Sequence, residues 1–128
     1  MVANDPRDRW KQAALVALVG YWLAMFIGTH IPQDQAVSLG NSDKLVHLGA
    51  YAGLAILVAL NWWLRRAFGL RQALVVLIAL TALGAVDEVT QIPVGRQCEF
   101  YDWTADVTGA AVALITFLAG SMLMRNRP

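Results

Sequence analysis

The chain has 128 residues, 58% of them apolar, and its ten Lys and Arg nearly balance nine Asp and Glu for a formal net charge of +1. That length suits a single domain over residues 1–128, and a charge so close to zero argues against a nucleic-acid partner. With 15% charged residues there is too little polar surface to cover a soluble domain, and the single Cys98 excludes an internal disulfide.

The apolar residues fall into four blocks. Ala13 to Ile31 contains no Asp, Glu, Lys or Arg, and Leu45 to Leu64 is interrupted by His47 and Asn61. Leu70 to Ile92 carries Arg71 near its start and Asp87-Glu88 near its end, and Val107 to Met124 is again without formal charge. Each block approaches the roughly 20 residues that cross a bilayer as a helix. The pattern predicts an all-α membrane protein, a four-transmembrane-helix bundle with helices over about 12–31, 44–64, 70–92 and 103–124. The first block follows Arg7, Arg9 and Lys11 as a secretion signal would. It is too long for a signal's apolar region and lacks a small-x-small cleavage site, so it reads as a retained helix. No internal repeat or second domain is evident.

Charge orients the bundle. Arg7, Arg9 and Lys11 precede helix 1; Arg65, Arg66 and Arg71 flank the turn between helices 2 and 3; Arg125 and Arg127 follow helix 4. These regions share one side, and their excess of Lys and Arg predicts that this side, with both termini, is cytoplasmic. Asp34, Asp43, Asp87, Glu88, Glu99, Asp102 and Asp106 gather at the opposite, outward end, with Lys44 and Arg96 among them. Trp10, Trp22, Trp62, Trp63 and Trp103 lie mostly near block ends, as interfacial anchors do. Pro32 and Pro93 stand just past the outer ends of helices 1 and 3, where a helix stops.

The outward end concentrates the polar residues. Ser42 or Asp43 is the expected N-cap of helix 2. His47 lies four residues after Asp43 and Tyr51 four further, so the three share a face, with His47 roughly 6 Å below Asp43. On helix 3, Asp87 stands about 24 Å above Arg71, in the outer part of the hydrocarbon core. A carboxylate there faces the bundle interior, with Gln91 one turn away. Adjacent acids point about 100° apart, so only one of Asp87 and Glu88 is expected to face the centre. On helix 4, Asp102, Asp106, Gly109 and Ala113 share a face, the acids complementing the N-terminal dipole and the small residues allowing close contact. Gly49 and Gly53 offer a second seam on helix 2. Lys44 is read as a snorkelling interfacial lysine, with ion pairing to nearby acids as the alternative. Arg96 either pairs with surrounding acids or holds an anionic group such as a phosphate.

Asp43-Lys44-x-x-His47, Asp87-Glu88-x-x-Gln91, Arg96 and Asp102-x-x-x-Asp106-x-x-Gly109, in this order, resemble the VanZ-like family, named for a teicoplanin-resistance protein. The match runs from about Ser42 to Gly120. Many members carry Asn where this chain has Asp106, which leaves carboxylate ligand and amide donor both open there. The resemblance implies a small multi-spanning protein of a bacterial plasma membrane, linked to cell-envelope processes and glycopeptide tolerance. It carries no settled activity with it.

Three functions remain open on the residues alone. In the first, Asp43, Lys44, His47, Asp87, Glu88, Gln91, Arg96, Asp102 and Asp106 bind an envelope lipid or lipid-linked precursor, the cations holding its anionic head group. In the second, a membrane enzyme uses His47, Asp87 or Glu88 in acid–base work, or a divalent metal on His47, Asp87, Glu88 and Asp106. No cofactor-binding motif, nucleophile motif or phosphate-cradling loop is present. In the third, the cluster only locks an accessory subunit together, although contacts of about 1 kcal/mol each make so large a cluster more than packing needs. Oligomerisation stays open.

Overall fold

The computed structural model describes residues 5–32, 35 and 43–125. Asp34, Ser42 and its expected cap, and Arg127 lie outside the described residues. Four α-helices follow one another: α1 (Pro6–Thr29), α2 (Asp43–Trp63), α3 (Leu70–Gln91) and α4 (Phe100–Arg125). All four are long and apolar enough to cross a membrane, and the described residues contain no strand.

Capping chemistry sets the ends, and it does not coincide with the hydropathy blocks. α1 starts inside the basic segment, because Asp5 accepts a hydrogen bond from Arg7 N at 3.0 Å and Pro6 occupies the first turn. α4 starts at Phe100, ahead of its apolar block, where the Glu99 carbonyl accepts from Asp102 N and Trp103 N at 3.1 and 3.2 Å. α3 tightens into a 3-10 turn over Ile92–Val94 that contains Pro93, and it closes on Gly95 at φ 79°. That left-handed conformation is the one glycine adopts without a Cβ penalty.

Neighbouring helices run antiparallel. The end of α1, the start of α2, the end of α3 and the start of α4 meet at one end, which carries the acids. At the opposite, basic end Asn61 Nδ2 donates to the Ala14 carbonyl at 2.8 Å and Arg65 Nη2 to the Lys11 carbonyl at 2.9 Å. There Phe68 meets Phe117 edge-on, ring centroids 5.3 Å apart.

The parallel pair α2 and α4 form the largest contact and the centre of the bundle. Ala55, Ala59 and Ala110 are wholly buried, small side chains that let the backbones approach. Gly109 carries this furthest, since a Cβ there would overlap the Leu48 carbonyl. α1 is peripheral, with Ala14 its one buried residue. It is tied on by the Tyr21 hydroxyl, which donates to the Ala50 carbonyl at 3.0 Å and rests against Gly53. The expected Gly49–Gly53 seam is therefore half used: Gly53 accommodates a tyrosine, while Gly49 faces open space.

Outward-facing apolar side chains such as Val16, Ile78 and Ile115 line the helices, a belt that suits lipid and not water. Trp10 and Trp63 lie exposed at helix ends. Trp103 departs from the anchor expectation: its indole turns inward and donates to the Thr81 carbonyl at 3.0 Å.

Gly109→Ala is expected to cost about 1–3 kcal/mol by overpacking the α2–α4 contact. Gly49→Ala should stay within about 0.5 kcal/mol of the parent. Thermal unfolding in detergent compares them, and equal effects would contradict the close α2–α4 approach.

Candidate functional site

The stripe at the start of α2 has the expected arrangement, with His47 and Tyr51 buried and Asp43 half-buried above them. His47 Nδ1 lies 3.0 Å from Asp106 Oδ1. As a carboxylate Asp106 only accepts, so the proton of this bond rides on Nδ1. The contact exists because Gly109, one turn below Asp106, brings α4 against α2. Asp106 is fully buried.

Glu88 approaches the same nitrogen from α3, its Oε1 3.9 Å from His47 Nδ1, while its Oε2 accepts from Glu99 N at 2.9 Å. That bond satisfies a backbone donor ahead of α4 and fixes how the carboxylate is turned. On the other ring nitrogen, His47 Nε2 faces Asp102 Oδ2 at 4.0 Å. The imidazole is thus surrounded by carboxylates from α3 and α4.

Asp87 is buried as well, against the expectation that only one of the adjacent acids would face inward. The helix geometry is as expected, but α3 is covered on two sides. Glu88 points toward α2 and α4, whereas Asp87 points toward the end of α1. There it accepts from Thr29 Oγ1 at 3.3 Å and from Gln91 Nε2 at 3.2 Å. His30 stands nearby, its Nδ1 3.9 Å from Asp87 Oδ1 and its Nε2 3.0 Å from Thr90 Oγ1. Its ring stacks on Phe26 at 3.9 Å. The sequence does not mark Thr29 and His30 as site residues, because polar residues at the end of an apolar block look like an ordinary membrane boundary.

This split divides the expected metal set. His47, Glu88 and Asp106 offer ligand atoms within 4.8 Å of one another, and so do Asp43, His47 and Asp102. Asp87 belongs to neither group.

The two cations differ in their partners. Lys44 adopts the ion-pairing alternative: Nζ pairs with Asp102 at 3.1 Å and Glu99 at 3.4 Å, because the first turn of α4 stands within its reach. Arg96 finds no carboxylate among the described residues. Its Nη1 donates to the carbonyls of Thr29 and Gly28 at 3.1 and 3.5 Å, capping the end of α1 as a cation suits a helix C-terminus. These bonds all leave from Nη1, and the rest of the fork has no partner among the described residues.

Between α1 and α2 lies a cavity of about 500 Å3. Ala24, Met25, Val46 and Ala50 give it an apolar wall, and its polar groups include Thr29, Asp43, His47, Tyr51 and Arg96. The arrangement can accept an amphiphile, with donors and acceptors for a head group and apolar surface for a chain. Cys98 is exposed in the segment between α3 and α4. No protein-family model, curated protein or solved structure matches the chain.

Glu88→Leu should cost about 1–3 kcal/mol, because it strips the Glu99 N–H of its acceptor. Glu88→Gln keeps an acceptor oxygen and should remain close to the parent. Detergent melting curves in which both variants are equally destabilised would contradict this role.

Proposed function

We propose that this chain is a multi-pass protein of a bacterial plasma membrane whose acidic end faces outward and binds an envelope lipid or lipid-linked precursor through its head group. The observation that carries the reading is the cavity between α1 and α2, apolar along one wall and polar at Arg96, Asp43 and His47. Its volume falls in the range of about 300–1,000 Å3 typical of small-molecule sites. Arg96 supplies the cation for a phosphate, in a planar fork suited to that group. Asp43 accepts from a hydroxyl or ammonium on the same head group. Lys44 is occupied by Asp102 and Glu99, so Arg96 carries the anionic contact alone. The outward orientation rests on the Lys and Arg bias of the opposite end. Through its resemblance to the VanZ-like family, the proposal extends to an effect on glycopeptide tolerance, teicoplanin included.

A membrane enzyme is the second reading, and the His47–Asp106 pair favours it. A fully buried carboxylate that holds one imidazole nitrogen orients the other, as in acid–base catalysis. Glycopeptide tolerance lost in His47→Gln with lipid binding intact would move the assignment to that reading.

Binding is tested by melting the detergent-purified chain with anionic and zwitterionic envelope lipids in the presence of EDTA. A lipid at 100 times its Kd stabilises the folded state by about 2.7 kcal/mol and raises the melting temperature. Arg96→Ala should abolish the shift for phosphate-bearing lipids. Gly28→Phe should abolish it for all of them, because Gly28 lines the cavity and a side chain there meets open space. No shift with any lipid, or a shift that survives Gly28→Phe, contradicts the site.

A further inference from the structure

Inside the bundle, next to the cavity, three buried oxygens lack a hydrogen-bond partner among the described residues: Glu88 Oε1, Asp106 Oδ2 and Tyr51 Oη. Two of them belong to carboxylates, and those residues are 3% and 0% exposed. At that burial water cannot readily solvate such atoms, and no donor among the described residues does. A buried acidic oxygen without a donor is costly to fold around unless a cation meets it.

We propose that His47, Glu88 and Asp106 hold a divalent first-row transition-metal ion. The three come from α2, α3 and α4, and their candidate ligand atoms lie within 4.8 Å of one another. His47 Nδ1 is 3.0 Å from Asp106 Oδ1 and 3.9 Å from Glu88 Oε1. In a tetrahedral shell with bonds of about 2.1 Å, ligand atoms stand about 3.4 Å apart. The two separations from Nδ1 lie on either side of that value and the Glu88–Asp106 separation is within 4.8 Å, while Asp106 Oδ2 remains as a second oxygen of the same carboxylate. Two carboxylates and a neutral imidazole present a charge that a divalent ion balances.

The surrounding groups suit this role. The Glu99 N–H holds Glu88 Oε2 and turns Oε1 toward His47. Metal binding would displace the Nδ1 proton that otherwise bonds Asp106, leaving the proton on Nε2, where Asp102 Oδ2 stands 4.0 Å away and favours that tautomer, as carboxylates do for metal-bound imidazoles. An imidazole ligand selects zinc, iron or a neighbouring ion over magnesium and calcium, which prefer oxygen alone. Three protein ligands also leave one position open for a water or a substrate oxygen.

The second group, Asp43, His47 and Asp102, is the weaker site. Asp102 Oδ1 already pairs with Lys44 at 3.1 Å, and neither of its acids has an unpartnered buried oxygen. The inner site goes beyond the lipid reading and stands without it, because its two carboxylates do not line the cavity.

The test uses the full chain in detergent, stripped with EDTA and titrated with Zn2+ by calorimetry and with Co2+ by visible absorption. One Zn2+ per chain is expected, with the d–d bands of four-coordinate cobalt. Glu88→Gln and Asp106→Asn should each weaken Zn2+ binding by at least about 10-fold. Both keep acceptor oxygens for Glu99 N and His47 Nδ1, and unchanged melting of the metal-free variants establishes that they fold. Glu99→Gln removes an acid from the surface of the same end and should bind like the parent. No saturable binding by the parent overturns the proposal. So does binding that survives both inner variants, or binding that Glu99→Gln removes.

Discussion

Carboxylates withdrawn from water at one end of an apolar bundle dominate the organisation of this protein. Asp87, Glu88 and Asp106 are almost wholly buried, and the nearest groups able to carry positive charge are the imidazoles of His30 and His47. The formal cations are elsewhere: Lys44 is tied to Asp102 and Glu99, and Arg96 caps α1. Each buried acid therefore relies on local donors. Asp87 has Thr29 and Gln91, Glu88 has a backbone N–H, and Asp106 has His47. These contacts stitch all four helices together at the acidic end, yet they leave oxygens unsatisfied. A purely structural lock would have no reason to retain unpaired charge, since apolar residues of similar volume commonly stabilise as well or better.

Close backbone packing makes the cluster geometrically possible. The absence of a Cβ at Gly109 lets α4 rest on the α2 backbone at Leu48, and one turn above that contact Asp106 meets His47. Gly84 acts similarly on α3, where a Cβ would press on Asp106 Oδ2 and Trp103. α1 is held differently, through Tyr21, Asn61 and Arg96 reaching backbone carbonyls. Those few polar ties leave room for the cavity between α1 and α2. Helices α2, α3 and α4 thus carry the acid cluster around His47, and the peripheral α1, with Ala14 its one buried residue, forms one wall of the neighbouring pocket.

Much of this arrangement was legible in the sequence because it follows from helical periodicity. Four apolar blocks gave four helices, and spacings of four placed Asp43, His47 and Tyr51 on one face and Asp102 and Asp106 on another. What failed needed knowledge of neighbours. Projecting α3 toward a single interior allowed one buried acid, but helices cover it on two sides, so Asp87 and Glu88 are both enclosed. Counting charged partners missed the contact of Arg96, which goes to backbone carbonyls that no charge pattern reveals. Thr29 and His30 carry no sequence signal because only the tertiary fold brings them to Asp87. Helix starts shifted because Asp5 and Pro6 cap α1 within a charged segment that hydropathy passes over.

The central claim is that Glu88 and Asp106 are retained to meet a ligand, and that none of the buried charges of the cluster is needed to hold the bundle together. The most direct test is the stability of Asp87→Asn/Glu88→Gln/Asp106→Asn, combined in one chain and melted in detergent with EDTA and no added lipid. The amides keep oxygens that can accept from Thr29, Glu99 N and His47, and they remove repulsion between buried charges. The account predicts a melting temperature equal to the parent's or higher. A triple variant that melts well below the parent would show that the charges themselves lock the helices, and it would contradict the claim.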